Sequence, residues 1–288
     1  MVYLDETCTL KITCSDKKGL LAKITNFIYT NQGNIIGLNE FVDNENKIFF
    51  MRVEWELNNF KIKKENIKKE VSKLSKEAGF DESFEIYFSS DKPRMAILVS
   101  KYDHCLYDIL LRNKSGELKC DIPLIISNHP DLKNVAKYFD IPFEVIKIDN
   151  DSKEKAEKKQ IELLKKYKID FVVLARYMQI LSENFVKTYD NKIINIHHSF
   201  LPAFEGAKPY HQAYERGVKI LGATAHFVNA SLDKGPIISQ GVVPTTHKDT
   251  VEDMVIKGRD VEKKVLSEAL KLYIENRIFV YKNRTVVL

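Results

Sequence analysis

The sequence predicts an α/β protein with two domains. The first is a small ferredoxin-like βαββαβ domain, and the second is a larger domain with a mostly parallel sheet. Strand and helix patterns in residues 1–89 follow the order β-α-β-β-α-β of a split βαβ arrangement. After a polar break, continuous apolar runs alternate with helical patterns, as in proteins whose parallel strands are covered by helices on both faces.

The N-terminal domain is predicted to span residues 1–89. Residues 7–14 alternate between apolar and polar types, as a half-buried strand does. Residues 18–31 carry apolar side chains at helical spacing, and Gly33 stands where that helix should end. The remaining segments are predicted as two strands joined by a polar turn, a lysine- and glutamate-rich helix and a short strand, at residues 34–43, 47–56, 60–78 and 83–88.

The second domain is predicted to span residues 94–288, after the polar segment Ser89-Ser90-Asp91-Lys92-Pro93. Its buried strands are predicted at residues 94–100, 121–127, 142–148, 169–174 and 192–194, and its helices at residues 105–112, 132–138 and 152–167. This alternation indicates a parallel sheet, whose ligands should lie at the carboxyl ends of the strands.

The C-terminal third of the second domain shows a different pattern. Residues 222–229 and 235–243 are closely spaced strand patterns, which favours an antiparallel pair. Residues 250–276 predict a long helix with a break at Gly258, and residues 278–288 predict a hairpin around Lys282-Asn283.

The composition indicates a globular protein outside the membrane. Of the 288 residues, 44% are hydrophobic and 30% are charged, and the net charge of +5 comes from lysines interleaved with acids rather than from a basic patch. No apolar run reaches the roughly 18 residues of a membrane span, and the first residues do not have the pattern of a secretory signal. We therefore expect a cytoplasmic protein that binds neither nucleic acid nor membranes, with its four cysteines reduced.

Several cofactor and metal motifs are missing from the sequence. The turn after the first strand of the second domain, Lys101-Tyr102-Asp103-His104, contains no glycine, and there is no P-loop, so NAD and ATP are not expected. No cofactor is predicted. A metal cluster at Asn195, His197 and His198 is disfavoured because no acidic ligands stand nearby at ligand spacing, but the five histidines beyond residue 196 leave it open. A nucleophilic pair of Cys105 and His104 is disfavoured because neighbours on a helix should point to different faces.

Three polar residues near strand ends form the candidate catalytic set, namely Asn195, His197 and Asp233. An asparagine amide can donate a hydrogen bond to a carbonyl that becomes an oxyanion. An imidazole exchanges protons near neutral pH, and a carboxylate can orient a water molecule or an imidazole. Singly, the asparagine could be a strand-end cap and the aspartate a turn residue.

The surrounding segments resemble the formyltransferase family, which uses 10-formyltetrahydrofolate. Members pair an Asn-x-His at a strand end with an aspartate in a D-x-G-P-I loop, which here correspond to Asn195, His197 and Asp233. The resemblance is strongest to the formyltetrahydrofolate deformylases and covers essentially the whole chain. It is carried by residues 16–43, 174–181, 193–204, 206–228, 259–262 and 280–285.

This resemblance implies a Rossmann-like formyltransferase domain that hydrolyses 10-formyltetrahydrofolate to tetrahydrofolate and formate. Asn195 and a protonated His197 would stabilise the oxyanion, and Asp233 would orient water and help move its proton to N10. The folate would contact Met178, Ile180, Leu181 and His226. We rank His198 and Lys208 second, and we leave open whether His198 and His226 are catalytic or structural.

The resemblance also implies an ACT-like regulatory domain at the N-terminus, carried by Asp16-Lys17-Lys18-Gly19-Leu20 and Asn34-Ile35. Such a domain could bind an amino-acid effector or only mediate assembly of a homo-oligomer. The implied role of the enzyme is to balance one-carbon folates and to supply formate for purine synthesis.

Two other functions stay open at this point. One is a formyltransferase with a small amine acceptor, and the other is a folate sensor without activity. The family's ribonucleotide transferases carry a glycine-rich loop where this chain has 101–104, and the methionyl-tRNA transferases carry an extra C-terminal domain. We therefore expect water to be the acceptor.

Overall fold

The computed structural model describes residues 6–80, 83–149, 152–202 and 209–288. The chain divides into two compact units. The first contains the described residues up to Lys92 together with Asn276–Phe279 and Val286–Leu288, and the second contains Pro93–Glu275 and Val280–Thr285. Residues 203–206 of the predicted site motif, and Lys208, lie outside the described residues.

The first unit has the predicted ferredoxin-like architecture. Its elements are β1 (Thr7–Ser15), α1 (Leu20–Thr30), β2 (Asn34–Asp43), β3 (Ile48–Glu56), α2 (Lys64–Ala78) and β4 (Phe84–Phe88). The four strands form an antiparallel sheet in the order β2-β3-β1-β4. One face of this sheet packs on α1 and α2 around the fully buried Trp55. The arrangement is consistent with an ACT-like domain.

The second unit alternates strands and helices as expected. Its elements are β5 (Arg94–Val99), α3 (His104–Lys114), β6 (Asp121–Ser127), α4 (Lys133–Tyr138), β7 (Phe143–Val145), α5 (Lys153–Lys166), β8 (Phe171–Leu174), α6 (Glu183–Thr188), β9 (Ile193–His197), α7 (Pro209–Glu215), β10 (Ile220–Phe227), β11 (Ile237–Pro244) and α8 (Val251–Ile274). A terminal hairpin of β12 (Ile278–Tyr281) and β13 (Arg284–Val287) turns at Lys282, as predicted.

The larger sheet has seven strands in the order β11-β10-β9-β8-β5-β6-β7. Strands β5 to β9 are parallel, and β10 and β11 are antiparallel additions at one edge. The mostly parallel sheet and its antiparallel pair are therefore confirmed. Helix α8 packs against β9, β10, β11 and α3, so it covers the part of the sheet that carries the candidate site.

The structure corrects three predictions about elements. Helices α6 and α7 were missed in the sequence. Each spans under two helical turns, so its apolar pattern is too short to reveal a helical period. The strand predicted over residues 142–148 is shorter in the structure, at Phe143–Val145. The break at Gly258 is wrong, since α8 runs unbroken from the capping box of Thr250 and Asp253 to Ile274.

Gly258 is explained by packing rather than by a helix break. A β-carbon at this position would lie 2.2 Å from Oη and 2.4 Å from Cε1 of Tyr210. The Tyr210 ring is buried, and its hydroxyl donates to Glu262 Oε1 at 2.6 Å, one turn further along α8. Because the ring is held at its tip, it cannot move aside freely, and glycine leaves it the space it needs.

We expect Gly258→Ala to destabilise the protein by about 1–3 kcal/mol through overpacking. Glycine-to-alanine changes inside helices normally stabilise by up to about 1 kcal/mol. In a Tyr210→Ala background, where the obstructing ring is absent, Gly258→Ala should therefore stabilise. Urea unfolding of the four proteins of this cycle measures both effects. The same sign and size of effect in both backgrounds would show that Tyr210 is not the cause.

Candidate active site

Neighbouring strands β9 and β10 bring three of the predicted site residues onto one face of the sheet. Side chains alternate along a strand, so Asn195 and His197 of β9 share a face. His226 of β10 is paired with Asn195, and Thr224 is paired with His197. Asn195 and His197 belong to the strand itself, at its carboxyl end, and the parallel architecture predicts ligands there.

His226 fixes the orientation of the Asn195 amide. Its Nδ1 lies 2.8 Å from the carbonyl oxygen of Phe227, which can only accept, so Nδ1 donates. In the neutral ring Nε2 is then an acceptor, and Asn195 Nδ2 donates to it at 3.1 Å. No described residue accepts from the second amide hydrogen of Asn195, which leaves it available to a ligand. His226 is only 2% exposed, and these contacts give it a positioning role, while its predicted contact with substrate stays a prediction.

Asp233 reaches the same site from the loop between β10 and β11. The loop lies so close to β10 that a β-carbon on Gly235 would be 1.7 Å from the carbonyl oxygen of Phe227. The Phe227 amide also donates to the Pro236 carbonyl at 2.9 Å. Asp233 itself has a left-handed backbone, with φ of 54°. The sequence D-K-G-P therefore places a carboxylate beside the end of β9.

His197 and Asp233 form the central ion pair of the site. Nδ1 of His197 lies 3.2 Å from Oδ2 of Asp233, whereas Nε2 of His226 is 3.6 Å from Oδ1, beyond hydrogen-bond distance. Burial alone would raise the pKa of Asp233, but the hydrogen bond from His197 holds that pKa well below its ordinary value. Asp233 is therefore a carboxylate at every physiological pH.

Nε2 of His197 is the open position of this arrangement. The atom is buried and has no hydrogen-bond partner among the described residues. Because Asp233 holds Nδ1, the ring orientation is fixed and Nε2 is left to meet a reacting group. Together, Asn195, His197 and Asp233 supply an amide donor, an oriented imidazole and a fixed negative charge.

Comparisons with known proteins agree with this geometry. The family model for formyl transferases matches residues 93–270. A formyltetrahydrofolate deformylase from Synechocystis sp. is 52% identical over 98% of this chain and 98% of its own length. The crystal structure of a formyltetrahydrofolate deformylase from Pseudomonas syringae pv. tomato superposes with a TM-score of 0.96 at 42% identity, covering 100% of this chain and 96% of that one. The chain belongs to the formyltetrahydrofolate deformylase family.

A transferase shares only part of this deformylase-family chain. A glycinamide ribonucleotide transformylase from Symbiobacterium toebii superposes with a TM-score of 0.66 at 32% identity, covering 70% of this chain and 97% of that one.

Among the described residues, no helix is both long enough and apolar enough to cross a lipid bilayer.

The segment after β8 carries the residues predicted to contact folate. Met178 and Ile180 are 54% and 60% exposed, while Leu181 is partly buried against the core under the sheet. The backbone is anchored at both ends of the segment, because Met178 N donates to Ser100 Oγ at 3.0 Å and Ser182 N donates to Glu157 Oε1 at 2.9 Å. The segment therefore presents Met178 and Ile180 outward on a fixed backbone, and their contact with folate stays a prediction.

A second polar cluster near the site was not predicted as one. Glu262, only 1% exposed, lies 2.8 Å from Nε2 of His104 and 3.5 Å from Nε of Arg176, and it accepts from Tyr210. Burial would raise the pKa of Glu262, but the hydrogen bond from His104 and the charge of Arg176 keep it below the ordinary value. In the sequence, the match of residues 259–262 to the family was the only sign of this cluster. Charged residues that meet from different helices and strands show no regular spacing along the chain.

The expectation that His104 and Cys105 face apart is wrong. Their ligating atoms and those of Glu262 all lie within 4.8 Å of one another, because His104 is the first residue of α3 and its ring reaches back towards α8. Burial raises the pKa of the Cys105 thiol well above its usual value, so it is not a ready nucleophile. A divalent cation in this group would meet the Arg176 guanidinium, which already balances Glu262. We assign no metal to it.

His198 lies between the two polar groups. Its ring centroid is 5.3 Å from that of His197 and 6.0 Å from that of Tyr210. Burial, and then the nearby Arg176 guanidinium, lower the pKa of His198 to about 4, although Glu262 and Asp233 act in the opposite direction. His198 is therefore neutral at physiological pH.

We expect His198 to make the protein less stable in mild acid. Its pKa is lower in the folded than in the unfolded chain, so the unfolded chain binds more protons between about pH 4 and 6.5 and stability falls as the pH drops through this window. His198→Gln should reduce that fall by roughly 2–3 kcal/mol. Urea unfolding at pH 7 and pH 4.5 measures it, with the exposed His247→Gln as control. Equal pH dependence in both variants would contradict the assignment.

Proposed function

We propose that this chain hydrolyses 10-formyltetrahydrofolate to tetrahydrofolate and formate. The observation that carries the proposal is the arrangement of His197 in a chain of the deformylase family. Its Nδ1 is held by Asp233, and its Nε2 is open on the strand face that also carries Asn195. An oriented imidazole next to a free amide hydrogen matches the needs of a carbonyl that becomes a tetrahedral oxyanion.

In this mechanism the formyl oxygen accepts hydrogen bonds from the free amide hydrogen of Asn195 and from a protonated His197 Nε2. The water oxygen forms a bond to the formyl carbon, and the bond from that carbon to N10 breaks. One proton from water ends on N10, and the other leaves when formic acid ionises. Water supplies the only oxygen needed, so we propose that the reaction uses no cofactor.

Asp233 is better suited to orienting groups than to taking a proton by itself. A carboxylate whose pKa lies well below the ordinary value is a weak base, and a good general base has a pKa near the working pH. We therefore assign Asp233 to holding the His197 ring in position and to orienting water, while His197 carries the proton towards N10. This division modifies the predicted proton shuttle, in which Asp233 had the larger part.

Purified protein incubated with 10-formyltetrahydrofolate alone should release formate and tetrahydrofolate in equal amounts. Asn195→Ala should lower kcat by about 10²–10³, the usual cost of one oxyanion donor. Asn184→Ala, an exposed asparagine on α6, should leave the rate unchanged. Ordinary turnover in Asn195→Ala would remove it from the mechanism. Formylated product only after an amine is added would identify a transferase instead.

Regulation and cellular setting rest on the resemblance. We propose that the first unit binds an amino-acid effector and pairs with a second copy, since the edge strand β2 exposes Ile36, Leu38 and Phe41. Sedimentation with and without free amino acids tests both points.

We also propose that the protein is a cytoplasmic enzyme that balances one-carbon folates and supplies formate for purine synthesis. Cell fractionation tests its location, and growth of a deletion strain without purines tests its role.

A further inference from the structure

The order of the large sheet creates a crevice next to the proposed active site. From β5 the chain builds β6 and β7 on one side, and then returns to place β8 and β9 on the other. In open α/β sheets such a reversal leaves a crevice at the carboxyl ends of the two strands, and ligands bind there. Here the crevice lies between the turn after β5, residues 100–103, and the segment that follows β8.

Side chains from both sides of this crevice and from helix α8 contact one another. We call Tyr102, His104, Arg176 and Glu262 the crevice cluster. The Arg176 guanidinium lies over the Tyr102 ring, 4.8 Å from its centroid, and its Nε lies 3.5 Å from Glu262 Oε2. His104 Nε2 contacts the same carboxylate oxygen at 2.8 Å. These contacts join the turn after β5, the end of β8 and helix α8 across the place where a ligand would enter.

The crevice cluster is poorly optimised for stability. Arg176 has a left-handed backbone, with φ of 62°, which a non-glycine residue rarely adopts. It is 7% exposed, yet Nε and Nη1 make no hydrogen bond with any described residue, and Nδ1 of His104 is also unpaired. Strain and unpaired buried donors of this kind persist where a site requires them.

The crevice cluster borders the catalytic group. The charges of Arg176 and Glu262 both act on the pKa of His198, whose ring lies 5.3 Å from that of His197. Tyr210, which donates to Glu262, lies 6.0 Å from His198 on the same side. A second substrate that entered this crevice would therefore arrive beside the formyl carbon.

We propose that the crevice cluster excludes amines from the formyl carbon, so that water is the only acceptor that reaches it. The inference rests on the proposed function and adds the reason for its specificity. If the crevice opened, an amine nitrogen would form the bond to the formyl carbon and lose one proton. The bond to N10 would break and N10 would gain a proton, so that an N-formyl amine replaces formate.

The test measures how the formyl group divides between water and glycinamide, a small primary amine. Protein, 10-formyltetrahydrofolate and excess glycinamide are incubated together, and mass spectrometry quantifies formate and N-formylglycinamide. The native protein should give formate alone. Tyr102→Ala should raise the ratio of N-formylglycinamide to formate by roughly tenfold or more, the scale on which pocket size controls specificity. Tyr107→Ala is the matched control, since both tyrosines are 42% exposed, and it should behave as the native protein.

Arg176→Gly is the second variant, and glycine accepts the left-handed backbone at that position. It should raise the ratio further, because it removes the guanidinium from the crevice. An unchanged ratio in both variants with formate release retained would overturn the proposal and leave hydrolysis intact. A raised KM for the folate with an unchanged ratio would also overturn it, and would assign the crevice cluster to folate binding. If Arg176→Gly does not fold, the Tyr102→Ala variant decides the outcome, because Tyr102 is half-exposed. Absence of formate from the native protein would refute the proposed function itself.

Discussion

The ion pair between His197 and Asp233 is the interaction on which the rest of the site depends. It exists because the loop after β10 returns to its own strand at a distance that only glycine allows at position 235. That return places a carboxylate opposite the carboxyl end of β9, where strand alternation already puts Asn195 and His197 on one face. The carboxylate fixes the imidazole, and β10 fixes the amide through His226. Four residues from three chain segments therefore keep one geometry.

Two carboxylates, the half-buried Asp233 and the buried Glu262, lie on opposite sides of His198. Asp233 lies on the side of His197 and the proposed reaction, while Glu262 lies on α8 with His104, Arg176 and Tyr210. Neighbouring donors keep the pKa of each carboxyl group below its ordinary value against the effect of burial. The neutral ring of His198 lies between the two groups. In the proposed mechanism Asp233 supports the chemistry, and Glu262 supports the shape of the space beside it.

Much of the fold and the central site could be predicted from the sequence, for physical reasons. Strand periodicity and continuous apolar runs report burial directly, so the two sheets and the antiparallel pair at residues 220–244 followed from local pattern. Asn195 and His197 could be assigned to one site because residues two positions apart on a strand point to the same face of the sheet. Asp233 was a candidate by residue type, but only the resemblance linked it firmly to Asn195 and His197, since no spacing rule relates a loop to a strand that precedes it by more than thirty residues.

The errors arise where tertiary contacts override local signals. Gly258 looked like a helix break, and its actual reason is the Tyr210 ring, which lies 48 positions away in the sequence. Glu262 stood out in the sequence only as part of the family match at residues 259–262, and the structure buries it among groups from three other segments of the chain. The role of His226 was left open between catalytic and structural, and its contacts with Phe227 and Asn195 became visible only with the register of β9 and β10.

The central claim is that Asn195, His197 and Asp233 act as one catalytic unit. The most direct test is the value of kcat/KM for Asn195→Ala, Asp233→Asn and the double variant, with folding checked by circular dichroism. Residues that act as a unit give strongly non-additive losses, so the double variant should lose little more than the worse single variant. A double variant whose loss equals the product of the two separate losses would contradict the account, because the amide and the carboxylate would then act independently.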